Sequence, residues 1–77
     1  MAQELRKIRF STTDDVREFV DAASKCDFDI DVRYDRMIVD AKSLLGILSM
    51  DLRHEFFVTC HGDNPDFNQK LRKFAVA

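Results

Sequence analysis

The sequence contains few of the residues that interrupt or cross-link a chain: it has no tryptophan, one proline, two glycines and two cysteines among 77 residues. Cys26 and Cys60 lie far apart and outside any Cys-x-x-Cys pair, which favours a reducing compartment. The two glycines, Gly46 and Gly62, are too widely separated to form a glycine-rich phosphate loop.

Long apolar runs and a strong net charge are also missing. No segment has the length and hydropathy needed to cross a bilayer, and no signal peptide is recognisable, so we expect a cytoplasmic protein that is not bound to a membrane. The formal net charge of -2 argues against a nucleic-acid-binding protein that relies on bulk electrostatics.

The composition is that of an ordinary soluble domain, with 45% hydrophobic and 34% charged residues. Seventy-seven residues suffice for one domain with a small core and modest stability. We therefore expect a single domain over residues 1–77, and we expect it to be a monomer.

The first part of the chain predicts a strand followed by a helix. Residues 5–10 end in an alternation that turns Ile8 and Phe10 inward. Thr12, followed three residues later by Asp15, has the spacing of a capping box and predicts a helix that runs to about Ser24. The apolar positions of that helix share one face: Val16, Phe19, Val20 and Ala23.

Three further strands and a last helix follow from the pattern. Residues 28–34 alternate between apolar and charged, and a short turn leads into a partner strand over 37–39. Aromatic and β-branched residues over 55–61 predict the last strand. Asn64 as N-cap and Pro65 at the first helical position start the final helix. Its inward stripe is Phe67, Leu71 and Phe74.

Between the third and fourth strands, Ser43 is an N-cap candidate for an apolar helix of about two turns. Six apolar residues cover more than one stripe of this segment: Leu44, Leu45, Ile47, Leu48, Met50 and Leu52. We expect some of them to face solvent and to form a surface that docks a partner. The alternative is that all six belong to the core.

The same segment resembles the region around the regulatory serine of HPr, the histidine phosphocarrier protein of the bacterial sugar phosphotransferase system. The resemblance rests on Ala41-Lys42-Ser43-Leu44, on Gly46, and on Leu48-Ser49-Met50-Asp51-Leu52. It implies an α+β fold, an open-faced β-sandwich in which a four-stranded antiparallel sheet carries three helices on one face, in the order βαββαβα. Pattern alone also allows a ferredoxin-like fold with an added terminal helix.

The resemblance fails where HPr performs its chemistry. HPr carries phosphate on a histidine in a Gly-x-His-x-Arg-Pro loop before its first helix, whereas the corresponding residues 10–16 contain no histidine, arginine or proline. Asp14 and Asp15 place two carboxylates in the first turn, and unit charges about 5 Å apart repel by roughly 3 kcal/mol at an effective dielectric near 20. Thr12 or Thr13 could accept a phosphoryl group instead, but a helix-capping hydroxyl is the simpler interpretation.

The resemblance also assigns a role to the apolar segment. Ser43 falls on the serine that an ATP-dependent kinase phosphorylates in HPr, and Leu44, Leu45 and Leu48 fall on apolar docking positions. His54 and His61 belong to no phosphohistidine or metal-ligand motif, so we expect no metal and no cofactor.

We therefore predict an HPr-like protein that is not an enzyme and has lost the phosphohistidine, and that acts as a regulatory or protein-binding module. Its expected partners are proteins of the phosphotransferase system or regulators. One alternative is an active phosphocarrier that uses an atypical acceptor. Another is a ferredoxin-like regulatory domain that binds a small ligand.

Overall fold

The computed structural model describes residues 5–76, so the first four residues and the last residue of the predicted domain lie outside the described part. The elements are β1 (Leu5–Ile8), α1 (Thr13–Ser24), β2 (Ile30–Tyr34), β3 (Met37–Asp40), α2 (Leu44–Leu48), β4 (Phe56–Cys60) and α3 (Pro65–Phe74). The predicted order βαββαβα is confirmed.

The four strands form one antiparallel sheet in the order β1-β4-β2-β3. Because β1 lies at an edge of this sheet, the ferredoxin-like alternative, which needs β1 in the interior, is wrong. The hairpin between β2 and β3 turns at Asp35, whose φ of 57° lies in the left-handed region that aspartate tolerates better than most residues.

Alternation along the strands sends one set of side chains toward the helices and the other set to an open face. Ile30 and Val32 of β2 and Phe56 and Val58 of β4 are fully buried on the helix side. The predicted inward stripe of α3 is buried, and so are three of the four residues predicted for the inner face of α1, with Val20 partly buried. α1 packs against both α2 and α3.

The first strand is shorter than predicted, because it ends at Ile8 rather than at Phe10. Phe10 leaves the sheet but is still directed inward, and it is only 3% exposed. Its ring lies 5.4 Å from that of Phe19, 5.7 Å from that of Phe56 and 5.7 Å from that of Phe74. Phe10, three residues before the start of α1, is therefore held by the aromatic core.

The segment after α3 lies along the outer edge of β1. The backbone N–H of Arg9 donates to the carbonyl of Phe74 at 2.9 Å, and that of Val76 donates to the carbonyl of Lys7 at 3.0 Å. Ala75 forms a bridge with Ile8 between these two bonds. This edge of the sheet is consequently paired rather than open.

Candidate functional site

The sequence resemblance places the counterpart of the HPr phosphohistidine loop at the start of α1. Thr12 is the N-cap, and its Oγ1 accepts a hydrogen bond from the backbone N–H of Asp15 at 3.2 Å, as the capping-box spacing predicted. The carboxylate of Asp15 accepts from the backbone N–H of Ser11 at 2.9 Å, one residue earlier than in a regular capping box. The hydroxyl of Thr12 therefore satisfies one of the N–H groups of the first turn of α1, and the carboxylate of Asp15 satisfies the N–H of Ser11 just before the helix.

The structure joins this loop to residues that are distant in the sequence. A surface depression of about 460 Å³ is lined by Arg9, Phe10, Ser11, Thr12, Thr13, Leu52 and Arg53. Arg9 Nη2 donates to the backbone carbonyl of Arg53 at 3.2 Å, which connects the end of β1 with the segment after α2. Sequence reasoning missed both arginines as site residues, since only tertiary packing brings them together.

The charge of Arg53 is partly neutralised by its neighbour Asp51. Arg53 Nε and Nη2 donate to the two carboxylate oxygens of Asp51 at 3.0 and 2.9 Å. The side-chain and backbone hydrogen bonds from Arg53 hold the pKa of Asp51 well below its usual range. The guanidinium group is thus engaged in a bidentate pair rather than left without a counter-charge.

Ser43 is the N-cap of α2, and its Oγ accepts from the backbone N–H of Gly46 at 3.1 Å. Gly46 permits this approach, because a Cβ atom at position 46 would lie 3.0 Å from the same oxygen. The sequence placed Lys42 beside Ser43, but Lys42 Nζ donates to the carbonyl of Cys26 at 2.9 Å. Asp40 Oδ1 accepts from the backbone N–H of Lys42 at 2.9 Å. The ammonium group of Lys42 is therefore bound to the carbonyl of Cys26 rather than to Ser43.

The apolar residues around α2 separate into a buried and an exposed set. Ile47 is fully buried and Met50 is 5% exposed, while Leu44 and Leu52 are partly buried against the core. Leu45 is 82% exposed and Leu48 36% exposed. We call Leu44, Leu45 and Leu48 the leucine face. The expectation that some of these residues face solvent is confirmed, and the alternative that all six are core is wrong.

The two histidines flank β4 at its opposite ends, and each lies close to a carboxylate. The ring of His54 stacks on that of Tyr34 with centroids 4.5 Å apart, and its Nε2 lies 3.5 Å from Asp51 Oδ2. His61 Nε2 lies 3.0 Å from Asp31 Oδ2.

A second depression, of about 520 Å³, adjoins His54. Its lining residues are Arg9, Tyr34, Asp35, Arg53, His54, Glu55 and Phe57. Among residues 5–76, no three His, Cys, Asp or Glu side chains are grouped so that they could hold a metal ion. In the same range, no helix is both long and apolar enough to cross a membrane.

Comparisons with known proteins agree with this geometry. The family model described as "PTS HPr component phosphorylation site" matches residues 15–76. The match begins within the first turn of α1, after the loop that would hold the phosphohistidine. No curated protein sequence matches the chain significantly.

Solved structures that resemble the chain include two HPr proteins. The phosphocarrier protein HPr from Bacillus anthracis str. Ames is 25% identical, with a TM-score of 0.68, and the alignment covers 97% of this chain and 95% of that one. HPr-C-His from Thermoanaerobacter tengcongensis is 27% identical, with a TM-score of 0.71, and the alignment covers 95% of this chain and 89% of that one. The chain therefore belongs to the HPr family of the phosphotransferase system.

Proposed function

We propose that this protein is a regulatory, protein-binding member of the HPr family that does not carry phosphate on a histidine. The observation that supports the proposal is the contrast between its two candidate sites. The start of α1 has no histidine and is capped by its own threonine and aspartate, while α2 presents a leucine side chain that is 82% exposed.

The loop before α1 disfavours phosphotransfer for a physical reason. In HPr the helix N-terminus and an arginine stabilise the phosphoryl group on the histidine. Here Asp14 and Asp15 stand in the first turn and add negative charge at the place where the phosphoryl group would arrive. Exposed Thr12 and Thr13 remain the hydroxyl alternatives, and Thr12 is engaged as the N-cap.

The leucine face supports binding, because a small domain gains nothing in its own core from a leucine that points into water. Docking would remove Leu45 and Leu48 from solvent, next to Ser43. A phosphate on Ser43 would add negative charge at the edge of this surface and so regulate the docking. The partner would be a protein of the phosphotransferase system or a regulator, as the family implies.

The runner-up is a phosphocarrier that uses His54, which lines the same depression as Arg9 and Arg53. The two guanidinium groups favour an anion there, although Asp51, Asp35 and Glu55 oppose it. Intact mass after incubation with phosphoenolpyruvate and the general phosphotransferase enzyme, with HPr as the positive control, distinguishes the two functions. We expect the mass of this protein to stay unchanged while HPr gains a phosphoryl group. An acid-labile phosphoryl adduct would establish the runner-up instead.

The leucine face is tested by titrating the isotope-labelled protein with the same phosphotransferase enzyme and following the backbone amides by NMR. We expect perturbations at residues 43–48 that Leu45→Glu abolishes while its spectrum stays that of a folded protein. Met37→Glu is the matched control, since Met37 is also an exposed apolar residue, at 48%, and should bind like the wild type. Equal loss in both variants, or unfolding of Leu45→Glu, would count against this surface.

A further inference from the structure

The face of the sheet that the helices leave open carries its charges in two separate rows. The strand registers place Phe57 of β4 between Lys7 of β1 and Arg33 of β2, and these three residues point away from the helices. The next row contains the carboxylates Asp31 and Asp40, which lie opposite each other on β2 and β3. One row is therefore cationic and aromatic, although the whole chain has a formal net charge of -2.

The cationic row ends at the depression of about 520 Å³ beside His54, because Phe57 also lines that depression. Two more aromatic rings line it: those of Tyr34 and His54 are stacked, with centroids 4.5 Å apart and planes inclined by 13°. The volume lies within the roughly 300–1,000 Å³ of small-molecule sites. Three rings at one depression favour a planar ring as the occupant, since stacking tolerates many different substituents.

Most charged groups at this depression are already neutralised by a neighbour. The carboxylate of Glu55 lies 3.5 Å from Lys7 Nζ, and Arg53 is paired with Asp51 at 2.9 Å. Arg9 differs, because its Nη2 donates to a backbone carbonyl and no carboxylate among residues 5–76 forms an ion pair with it. Arg9 is therefore a cation at the depression that keeps room for an anion.

Asp35 is the corresponding unpaired anion. It is an exposed residue of the β2–β3 turn, and its carboxylate has no ion pair or hydrogen bond within the described range. The depression thus combines three rings with one unpaired guanidinium group and one unpaired carboxylate. This set matches a ligand that joins an anionic group to a planar ring with N–H donors.

We propose that the depression binds a guanine nucleotide. The base packs against Phe57 and the stacked rings of Tyr34 and His54. The phosphate meets the guanidinium group of Arg9, which can donate from Nε and Nη1. The N1–H and the exocyclic amino group of guanine are two parallel donors, and one carboxylate, that of Asp35, accepts both.

Other small ligands use only part of this set. Inorganic phosphate or a sugar phosphate would meet Arg9 but leave the rings unused and gain nothing from Asp35. An organic cation would be repelled by Arg9, and an aromatic acid without N–H donors would leave the carboxylate of Asp35 unpaired. A nucleotide with a donor-bearing base uses the rings and both unpaired charges.

This site and the leucine face are separate. Phe57 points away from the helices, whereas Leu45 belongs to α2, on the opposite side of the sheet. Nucleotide binding involves no covalent step at His54, so it requires neither the proposed partner docking nor the alternative phosphotransfer. Its failure would leave the proposed function unchanged.

NMR titration of the isotope-labelled protein with guanosine monophosphate at low ionic strength tests the proposal. We expect saturable shifts of the amides of residues 34–35 and 53–57, with a Kd on the order of 1 mM because the depression is open to solvent. Guanosine and ribose 5-phosphate, each of which lacks one part of the nucleotide, should bind on the order of tenfold more weakly. Asp35→Asn should remove the preference for guanosine monophosphate over adenosine monophosphate.

Arg9→Gln should weaken binding of guanosine monophosphate on the order of tenfold. Arg17→Gln is the matched control, since it makes the same charge change on the exposed surface of α1 and should bind like the wild type. The proposal is overturned by the absence of saturable shifts at residues 34–35 and 53–57, by equal binding of ribose 5-phosphate, or by equal loss in the two arginine variants. If Arg9→Gln does not fold, Phe57→Leu decides, because it removes a stacking ring and should also weaken binding.

Discussion

Ser43 combines two roles at a single atom, because the oxygen that would carry a phosphate is also the oxygen that caps α2. Any change at this position therefore alters both the stability of a five-residue helix and the charge beside the leucine face. Separating the two roles requires substitutions that keep one of them while changing the other.

Ser43→Asp and Ser43→Ala form such a pair. Aspartate caps helices about as well as serine, so Ser43→Asp should stay within about 0.5 kcal/mol of the wild type in free energy of unfolding, whereas Ser43→Ala should lose about 1 kcal/mol. Urea denaturation followed by circular dichroism measures both. If Ser43→Ala is as stable as the wild type, the capping bond to Gly46 does not support the helix.

Gly62 shows a different constraint at the residue scale. A Cβ atom there would lie 2.4 Å from Cδ2 of Phe28 and 3.0 Å from its Cβ, so the ring and its attachment would both have to move. We expect Gly62→Ala to destabilise the protein by roughly 1–3 kcal/mol. Thermal unfolding checks this in two backgrounds. Gly62→Ala should destabilise the wild type, but it should cause no further destabilisation in a Phe28→Ala variant, which lacks the ring.

At the scale of elements, α1 and α3 are joined by a salt-bridge network in which one carboxylate binds two lysines. Glu18 of α1 accepts from Lys70 at 2.9 Å and from Lys73 at 2.8 Å. The hydrogen bonds from Lys73 and Lys70 hold the pKa of Glu18 below its ordinary value of 4.5, and the bond to Glu18 raises the pKa of Lys73.

A carboxylate whose pKa is lower in the folded state than in the unfolded state stabilises the fold at pH values above its unfolded-state pKa. That contribution is lost as the pH falls through its folded-state pKa. Glu18→Gln should therefore be less stable than the wild type at pH 7, and the two unfolding midpoints in urea should converge below about pH 4. Asp21→Asn is the control, because the side chains of Asp21 and Lys25 are 72% and 75% exposed and their pair should contribute little at any pH. A constant difference across pH would exclude this linkage.

Most elements could be predicted from the sequence because their signals are local. Thr12, Ser43 and Asn64 cap the helices that follow them, and in each case the side-chain oxygen accepts from an N–H two or three residues later in the chain. Errors occur at strand ends: β2 begins at Ile30 rather than at Phe28. A strand ends at the last residue that is hydrogen-bonded to the neighbouring strand. That neighbour is often distant in the sequence, so no local pattern marks the boundary.

At the scale of the whole molecule, Phe10 links the loop before α1 to the core. Its ring is shared between Phe19 of α1, Phe56 of β4 and Phe74 of α3. The conformation of residues 11–13 is consequently held by packing that lies outside the loop itself.

Phe10→Ala should cost about 3–5 kcal/mol, a large part of the stability of so small a domain, while Phe10→Leu should cost less than about 1.5 kcal/mol. Phe57→Leu, on the open face beneath Arg33, is the matched control for Phe10→Leu and should have the smaller effect. Urea denaturation gives the free energies of unfolding, and the amide shifts of residues 11–13 should move with Phe10→Leu only. A larger loss from Phe57→Leu would contradict this assignment of the core.

Long-range features of the candidate site could not be predicted from the sequence. Arg9 and Arg53 are 44 positions apart, and no local pattern indicates that one donates to the backbone of the other. The exposure of Leu45 beside the buried Ile47 could be anticipated only as surplus hydrophobicity, because packing against α1 and β3 decides which side of α2 faces inward. The paired edge at β1 likewise depends on where α3 ends.

That paired edge also determines how the molecule should respond to tension. Residues 74–76 run antiparallel to residues 7–9, so handles attached at the two ends would pull from the same end of this short ladder. The force would therefore act in unzipping geometry: the hydrogen bond between Val76 and Lys7 would break first and the bond between Arg9 and Phe74 second. In shear geometry both bonds would carry the load together. The protein should therefore open at low force from its terminal seam, with β1 freed before the β2–β3 hairpin is disturbed.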